Sequence, residues 1–306
     1  MNSQVVHAID RINNPTEEFF RKNYLEQSRP VIITNLDPKP AQCKWDFDYM
    51  SRVAGDCMVP VYDWGEEGPT IEDKFIIRQM KLSQAIEYAR TVTHAKTQRY
   101  SVCQMPLELL PELNAEYEQI NVIRSSEKLD KLPFGFREQR RRALFISFFR
   151  GIHWHNGRDA ISQMCCGRKK FTLYSPKDSK YLYPRQLLKS GLSWWDETEA
   201  VFCSEIPFEN GVENIDRKRF PLYERATPIE VELQAGEALY IPSHWWHFTT
   251  AVEPCVLMVE FWDAPFRRWG FPIARRSMLM KPYRRFFYYR LIRLKKFARR
   301  EAVLQS

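Results

Sequence analysis

No window in the 306-residue sequence approaches eighteen uninterrupted apolar residues, so no segment reads as a membrane-spanning helix. The opening MNSQVVHAIDRINNP lacks the cationic start and apolar stretch of a secretory signal, and secretion is not expected. Cysteine pairing is equally unsupported. Cys43, Cys57, Cys103, Cys165, Cys166, Cys203 and Cys255 are odd in number, form no CxxC or zinc-finger spacing, and sit in a chain too large to need staples. They read as reduced core thiols of a cytoplasmic protein. A Gly-rich phosphate loop, a GxSxG elbow and an HExxH helix are all missing, which argues against P-loop, α/β-hydrolase and zincin chemistry. No internal repeat or low-complexity block stands out.

What is present is enough apolar and aromatic material, 44% and 14%, to bury a core in one large or two modest domains. The net charge of +8 is unevenly placed. From Arg267 onward there are thirteen Lys or Arg and a single acid, Glu301, which gives +12 there and leaves −4 for residues 1–266. In that tail Tyr283, Phe286, Phe287, Leu291, Leu294 and Ala298 share one helical face and arginines and lysines largely fill the rest, so a basic amphipathic helix is expected over 266–306.

Residues 1–142 read as an α/β elaboration. Thr16-Glu17-Glu18 ahead of Phe19, Phe20, Tyr24 and Leu25 predicts a helix, Arg29-Pro30-Val31-Ile32-Ile33 a buried strand, Asp46 to Gly55 a second helix, Met58 to Tyr62 a strand and Lys81 to Arg90 a third helix. Residues 104–114 read as a proline-broken connection. From 143 to 265 short apolar runs (144–149, 161–166, 170–174, 229–233, 238–241, 256–261) are separated by turn residues. That texture fits a mainly β architecture, a jelly roll or cupin barrel. Residues 178–226 form an irregular insertion carrying Trp194 and Trp195, a lid or a surface excursion.

Of six histidines four are grouped, His153 and His155 in GIHWHNGRD and His244 and His247 in IPSHWWHF. On a strand, residues i and i+2 share a face, so His153 and His155 can both enter a barrel. His247 is the natural third imidazole, because residues 236–242 read as turn, strand and turn, delivering it to the barrel's rim. Three ligands on one face leave open positions for a co-substrate and dioxygen, the plan of non-haem iron oxygenases. The plainer alternative is that these histidines are merely packed or hydrogen-bonded beside tryptophans.

The stretches QMCCGRKKFTLYSP (163–176), RFPLY (219–223) and the segment from Pro228 through GEALYIPSHWWH (236–247) resemble the JmjC or cupin-like family of Fe(II)- and 2-oxoglutarate-dependent oxygenases. The opening, with Phe20, Arg29 to Ile33 and Lys44-Trp45, resembles that family's N-terminal helices and strand, so the likeness spans residues 10–265. It implies a double-stranded β-helix and Fe(II) as cofactor with 2-oxoglutarate as co-substrate. It also implies His247 as the distal metal ligand and Lys169 as the partner of the distal carboxylate of 2-oxoglutarate. A fixed cation inside a barrel suits that role. The alternative for Arg168, Lys169 and Lys170 is a solvated strand end.

The departure lies at the family's His-x-Asp. Counted back from Gly167 without a gap, those positions fall on Trp154 and Asn156; shifted by one, they fall on His153 and His155, which with His247 makes a three-histidine site. Asp159, four residues past His155, does not restore the usual triad. Three readings follow: an oxygenase acting on a protein or peptide side chain, with Trp194 and Trp195 on the substrate side; a metal-free cupin-like binding module; and a three-histidine oxygenase that does not use 2-oxoglutarate. By resemblance the C-terminal helix suits a homodimer. A membrane surface, as a peripheral contact, and nucleic acid are the other partners a basic helix fits.

Overall fold

The computed structural model describes residues 9–66, 68, 75–93, 98–123, 141–146, 150–155, 158–186, 201–207 and 214–264. The insertion tryptophans Trp194 and Trp195 and the basic tail beyond 265 lie outside the described residues.

Fifteen strands and four α-helices are built from these segments. Strand β1 (Asp10–Asn13) leads to α1 (Glu17–Phe20), which Thr16 caps by accepting from the Phe19 N–H. A wider π-type turn over Arg21–Leu25 follows, then β2 (Val31–Thr34). Next come α2 (Phe47–Ala54), capped by Asp46, β3 (Met58–Asp63), β4 (Ile76–Lys81) and α3 (Leu82–Thr91). Residues 104–114 depart from the expected loop. Their first part completes β5 (Tyr100–Pro106), and after a single 3-10 turn α4 (Pro111–Glu116) starts with Pro111 in its first turn, where a missing N–H costs nothing.

The remaining strands are β6 (Arg141–Ile146), β7 (Arg150–His155), β8 (Arg158–Cys166), β9 (Arg168–Tyr174), β10 (Pro184–Gln186), β11 (Val201–Ser204), β12 (Ile229–Gln234), β13 (Ala238–Ile241), β14 (Trp246–Ala251) and β15 (Val256–Asp263). They form two sheets. One has nine strands in the order β1-β2-β13-β8-β15-β6-β5-β3-β4, the other six in the order β10-β11-β7-β14-β9-β12. Their facing sides share one apolar cluster, including Phe145, Met164, Phe171, Leu173, Leu239, Leu257 and Val259, which is the interior of a double-stranded β-helix.

Both outer faces are covered as well. On β15, Leu257, Val259 and Phe261 point into the barrel, while Val256 and Met258 pack against α2, α3 and α4 and Trp262 joins Phe20, Tyr24 and Tyr240. A strand buried on both sides reads as a continuous apolar run, which is why residues 256–261 lacked alternation in the sequence. The six-stranded sheet's outer face carries Tyr174, Trp246 and Phe248 against Phe220, Tyr223, Leu182 and Ile206 of the insertion. Charge alternation marks β9: Arg168 and Lys170 are exposed and ion-paired to Glu232 and Glu230, while Lys169 between them is 1% exposed.

The β8–β9 turn depends on Gly167, whose φ is +75° and whose hypothetical Cβ would stand 2.2 Å from the Pro254 carbonyl oxygen. Gly236, between β12 and β13, has φ +87° but open space around it. Gly236→Ala is expected to cost about 1 kcal/mol and Gly167→Ala about 3 kcal/mol or more, read as a larger fall in Tm for the latter. Comparable falls would mean that the backbone conformation alone matters. The thiols give a second expectation. Burial raises Cys165 well above the ordinary thiol range and Cys166 to about 11, so both stay protonated at pH 8 and resist alkylation until the chain unfolds. Rapid labelling of either in the native protein would contradict this packing.

Candidate metal centre

Strand β7 runs between β11 and β14, and its period of two puts His153 and His155 on one face. Across the β7–β14 pair His247 stands directly opposite His153. The three imidazoles meet as a result, with ring centroids 4.2 Å (His153–His247), 4.8 Å (His155–His247) and 5.2 Å (His153–His155) apart. One ring nitrogen of each lies within 4.8 Å of the others, close enough for the three to serve one ion. His247 is the second residue of β14, directly after the turn that follows β13. There Trp246 and Phe248 face outward while His247 and Thr249 line the interior.

The ring of His247 is oriented by its neighbour. Its Nδ1–H donates to the Trp245 carbonyl at 3.1 Å, which leaves the lone pair on Nε2, the usual arrangement of a ligating histidine. The loop before β14 is tied to the other histidines' strand, β7, and to β8. The His244 N–H donates to the His155 carbonyl at 3.2 Å, and the Ser243 N–H donates to Asp159 Oδ1 at 2.9 Å. His244 holds φ +70°, a conformation rare outside glycine that lets the chain double back there. Asp159, the nearest acid in sequence, is fully buried and engaged with this loop; among the described residues no carboxylate joins the three imidazoles.

The histidines form part of the wall of a narrow cavity of about 50 Å³ between the two sheets. Lys169 enters the same cavity from β9, and its burial pushes the ammonium's pKa below the ordinary lysine range. An anion in the cavity would offset that cost. Phe171, Ile241 and Phe261 make most of the lining apolar, and Gln104, Ser162 and Thr249 add polar groups. Sequence reasoning missed these last three. Thr249 could have been found as the residue two beyond His247 on the same strand, whereas Gln104 and Ser162 carry no local signal.

The donor set fits a divalent transition metal: three neutral imidazoles in a partly apolar enclosure suit iron, zinc or copper, and no thiolate or carboxylate competes among the described residues. Residues 16–268 match the family model described as a cupin-like domain. The chain is 23% identical over 267 residues to the tRNA wybutosine-synthesizing protein 5 of Homo sapiens, covering 83% of this chain and 77% of that protein. It is 29% identical over 272 residues to lysine-specific demethylase 8 of Danio rerio (83% of this chain, 58% of that one). With lysine-specific demethylase JMJ30 of Arabidopsis thaliana it shares 27% over 259 residues, 80% of this chain and 52% of the other. A family match running from α1 to the end of β15, on two facing sheets of this order, means that the chain belongs to the JmjC-type cupin-like family.

Proposed function

We propose that the protein is an Fe(II)- and 2-oxoglutarate-dependent oxygenase that hydroxylates a protein or peptide side chain. The observation that carries this reading is that His153, His155, His247 and Lys169 line one cavity. Three neutral imidazoles leave the charge of a divalent ion uncompensated, and Lys169 adds a further positive group in the same low-dielectric space. A dianion with a chelating 2-oxo acid at one end and a carboxylate at the other is complementary to that arrangement.

His153, His155 and His247 would hold the metal from one side and leave its other positions free. When bound, Fe(II) supplies Lewis acidity and the capacity to activate dioxygen. Lys169 would fix the distal carboxylate of the co-substrate by a charge-assisted hydrogen bond. The Trp245 carbonyl holds the His247 ring in its ligating tautomer, and Phe171 and Phe261 exclude water from the reacting volume. The overall reaction balances as 2-oxoglutarate, dioxygen and R–H giving succinate, carbon dioxide and R–OH.

Two relatives are named as lysine-specific demethylases, which supports a protein side chain as the substrate class. A third is named for tRNA modification, which makes nucleic acid the alternative. Within the same reading, the basic tail is a docking or dimerisation element, and the unpaired cysteine pattern suits a cytoplasmic location.

The test is metal analysis of protein purified anaerobically with Fe(II), followed by 2-oxoglutarate binding and succinate release. One iron per chain is expected in the wild type, with affinity at least about a hundredfold weaker in His247→Ala. Lys169→Ala should keep the metal and bind 2-oxoglutarate roughly 10- to 100-fold more weakly. Absence of bound metal would favour a metal-free binding module, and metal without any effect of Lys169→Ala would favour a three-histidine oxygenase using another co-substrate.

A further inference from the structure

Residues 1–266 carry a net charge of −4, yet one part of their surface is strongly basic. Two 3-10 turns, Pro176–Tyr181 after β9 and Pro221–Arg225 before β12, lie side by side, since the Lys180 ammonium and the Arg225 guanidinium each stand 4.9 Å from the centre of the Tyr181 ring. With residues 216–220 they present Lys177, Lys180, Arg217, Lys218, Arg219 and Arg225, all exposed. Three acids accompany these six cations, and two of them are engaged with backbone. Asp178 is 9% exposed and accepts from the Thr227 N–H at 3.1 Å, and Asp216 Oδ1 accepts from the Lys218 and Arg219 N–H groups at 3.0 and 3.1 Å. The third, Glu224, is exposed. Elsewhere on the body cations are neutralised in pairs such as Arg90–Asp48 and Arg168–Glu232. Among the described residues no carboxylate forms an ion pair with Lys177, Lys180, Lys218, Arg219 or Arg225.

The patch is anchored at the metal end of the barrel. One residue before His247, the Trp246 indole N–H donates to Ser179 Oγ in the first turn at 2.8 Å, and the Tyr174 and Tyr223 hydroxyls hydrogen-bond at 2.7 Å, which fixes the second turn to the end of β9. Rings also restrain the charges themselves: Arg217 lies over Tyr223 at 4.6 Å and Arg219 over Phe220 at 5.0 Å. Cations positioned in advance lose less freedom when a partner binds. The partner's chemistry follows from the surface. It must be anionic, and the remainder of the body, being acidic, repels it. Phe220 and Tyr223 are 3% and 2% exposed and Tyr181 has two cations against its ring, so a nucleobase finds no open face to stack on. Leu222, 43% exposed beside these cations, offers an apolar contact instead. Carboxylates interspersed with apolar side chains, as in an acidic polypeptide, match both features.

We propose that this surface is the docking site for an acidic stretch of the polypeptide substrate, held beside the metal end of the barrel while the residue to be hydroxylated reaches the metal. This deepens the oxygenase reading above and rests on it for the polypeptide's role as substrate. Lys177, Lys180, Lys218, Arg219 and Arg225 pair with carboxylates, and Leu222 takes an apolar side chain between them. Exposed pairs are individually weak and act chiefly on encounter and specificity, so a cluster of them is required.

The test is fluorescence anisotropy of the full chain with two labelled probes, a short peptide of Glu, Ser and Leu in equal parts and an oligouridylate of the same length. Wild type is compared with Lys218→Gln/Arg219→Gln and with Lys177→Gln/Lys180→Gln, with Tm recorded for each. A control, Lys22→Gln/Arg52→Gln, removes the same charge from exposed positions outside the patch, and the basic tail is present in every variant. Each patch variant is expected to keep its Tm and to bind the peptide about five- to tenfold more weakly, the loss shrinking at high salt, while the control stays within about twofold of wild type. Equal weakening in the control overturns the assignment, because net charge alone is then sensed. A larger loss for the oligouridylate than for the peptide overturns it too, and makes the surface one for nucleic acid. If neither patch variant changes peptide binding, the docking site falls and the oxygenase reading, tested by metal and 2-oxoglutarate binding, stands. Patch-dependent peptide binding by a chain that holds no metal overturns the substrate role.

Discussion

The pairing of β14 between β7 and β9 is the constraint on which the rest depends. It places His247 opposite His153 on one side and opposite Leu173 on the other, and it sets Ala251 opposite Lys169. Because side chains alternate across a strand, a slip of one residue would turn His247 and Thr249 outward and drive Trp246 and Phe248 into the cavity. Packing opposes that slip. Trp246 is 1% exposed, its indole N–H donates to Ser179 Oγ at 2.8 Å, and Phe248 packs beside it under the insertion. The outer aromatic residues therefore fix the register that the inner histidines need.

Coverage of both outer faces makes the interior rigid enough to hold charge. Helices α2, α3 and α4 seal one side of the nine-stranded sheet, and the insertion seals the six-stranded one. Key polar groups buried in this shell are paired: Glu260 accepts from the Tyr117 hydroxyl and the Gln119 amide, and the Gln42 amide N–H groups donate to Gln163 Oε1 and the Glu118 carbonyl. The cavity between the sheets encloses an ammonium, Lys169, whose pKa is lowered by burial.

Much of this was legible in the sequence because it is local. The His-x-His alternation, the turn-strand-turn around residues 236–242 and the helix start at Thr16 follow from neighbouring residues alone. The choice between the two registers for the His-x-Asp positions was not local, since it turns on which residues of β7 face β14. Nor could spacing reveal that residues 104–106 belong to a strand. Met105 and Pro106 pair with β6, nearly forty residues on, and the bulge before them has no sequence signature beyond a glutamine where alternation would break. Asp159 is a similar case: its carboxylate serves the Ser243 N–H, a contact between residues 84 apart. Propensity and periodicity do not reach such pairings.

A site of three imidazoles differs from one with a carboxylate chiefly in charge, and Lys169 lines the same cavity. The most direct measurement of this account is X-ray absorption on the Fe(II)-loaded protein. Scattering from three imidazole nitrogens in the first coordination sphere, falling to two in His155→Ala, is the predicted result. Fewer than three imidazoles in the wild type, or no change in His155→Ala, would contradict it.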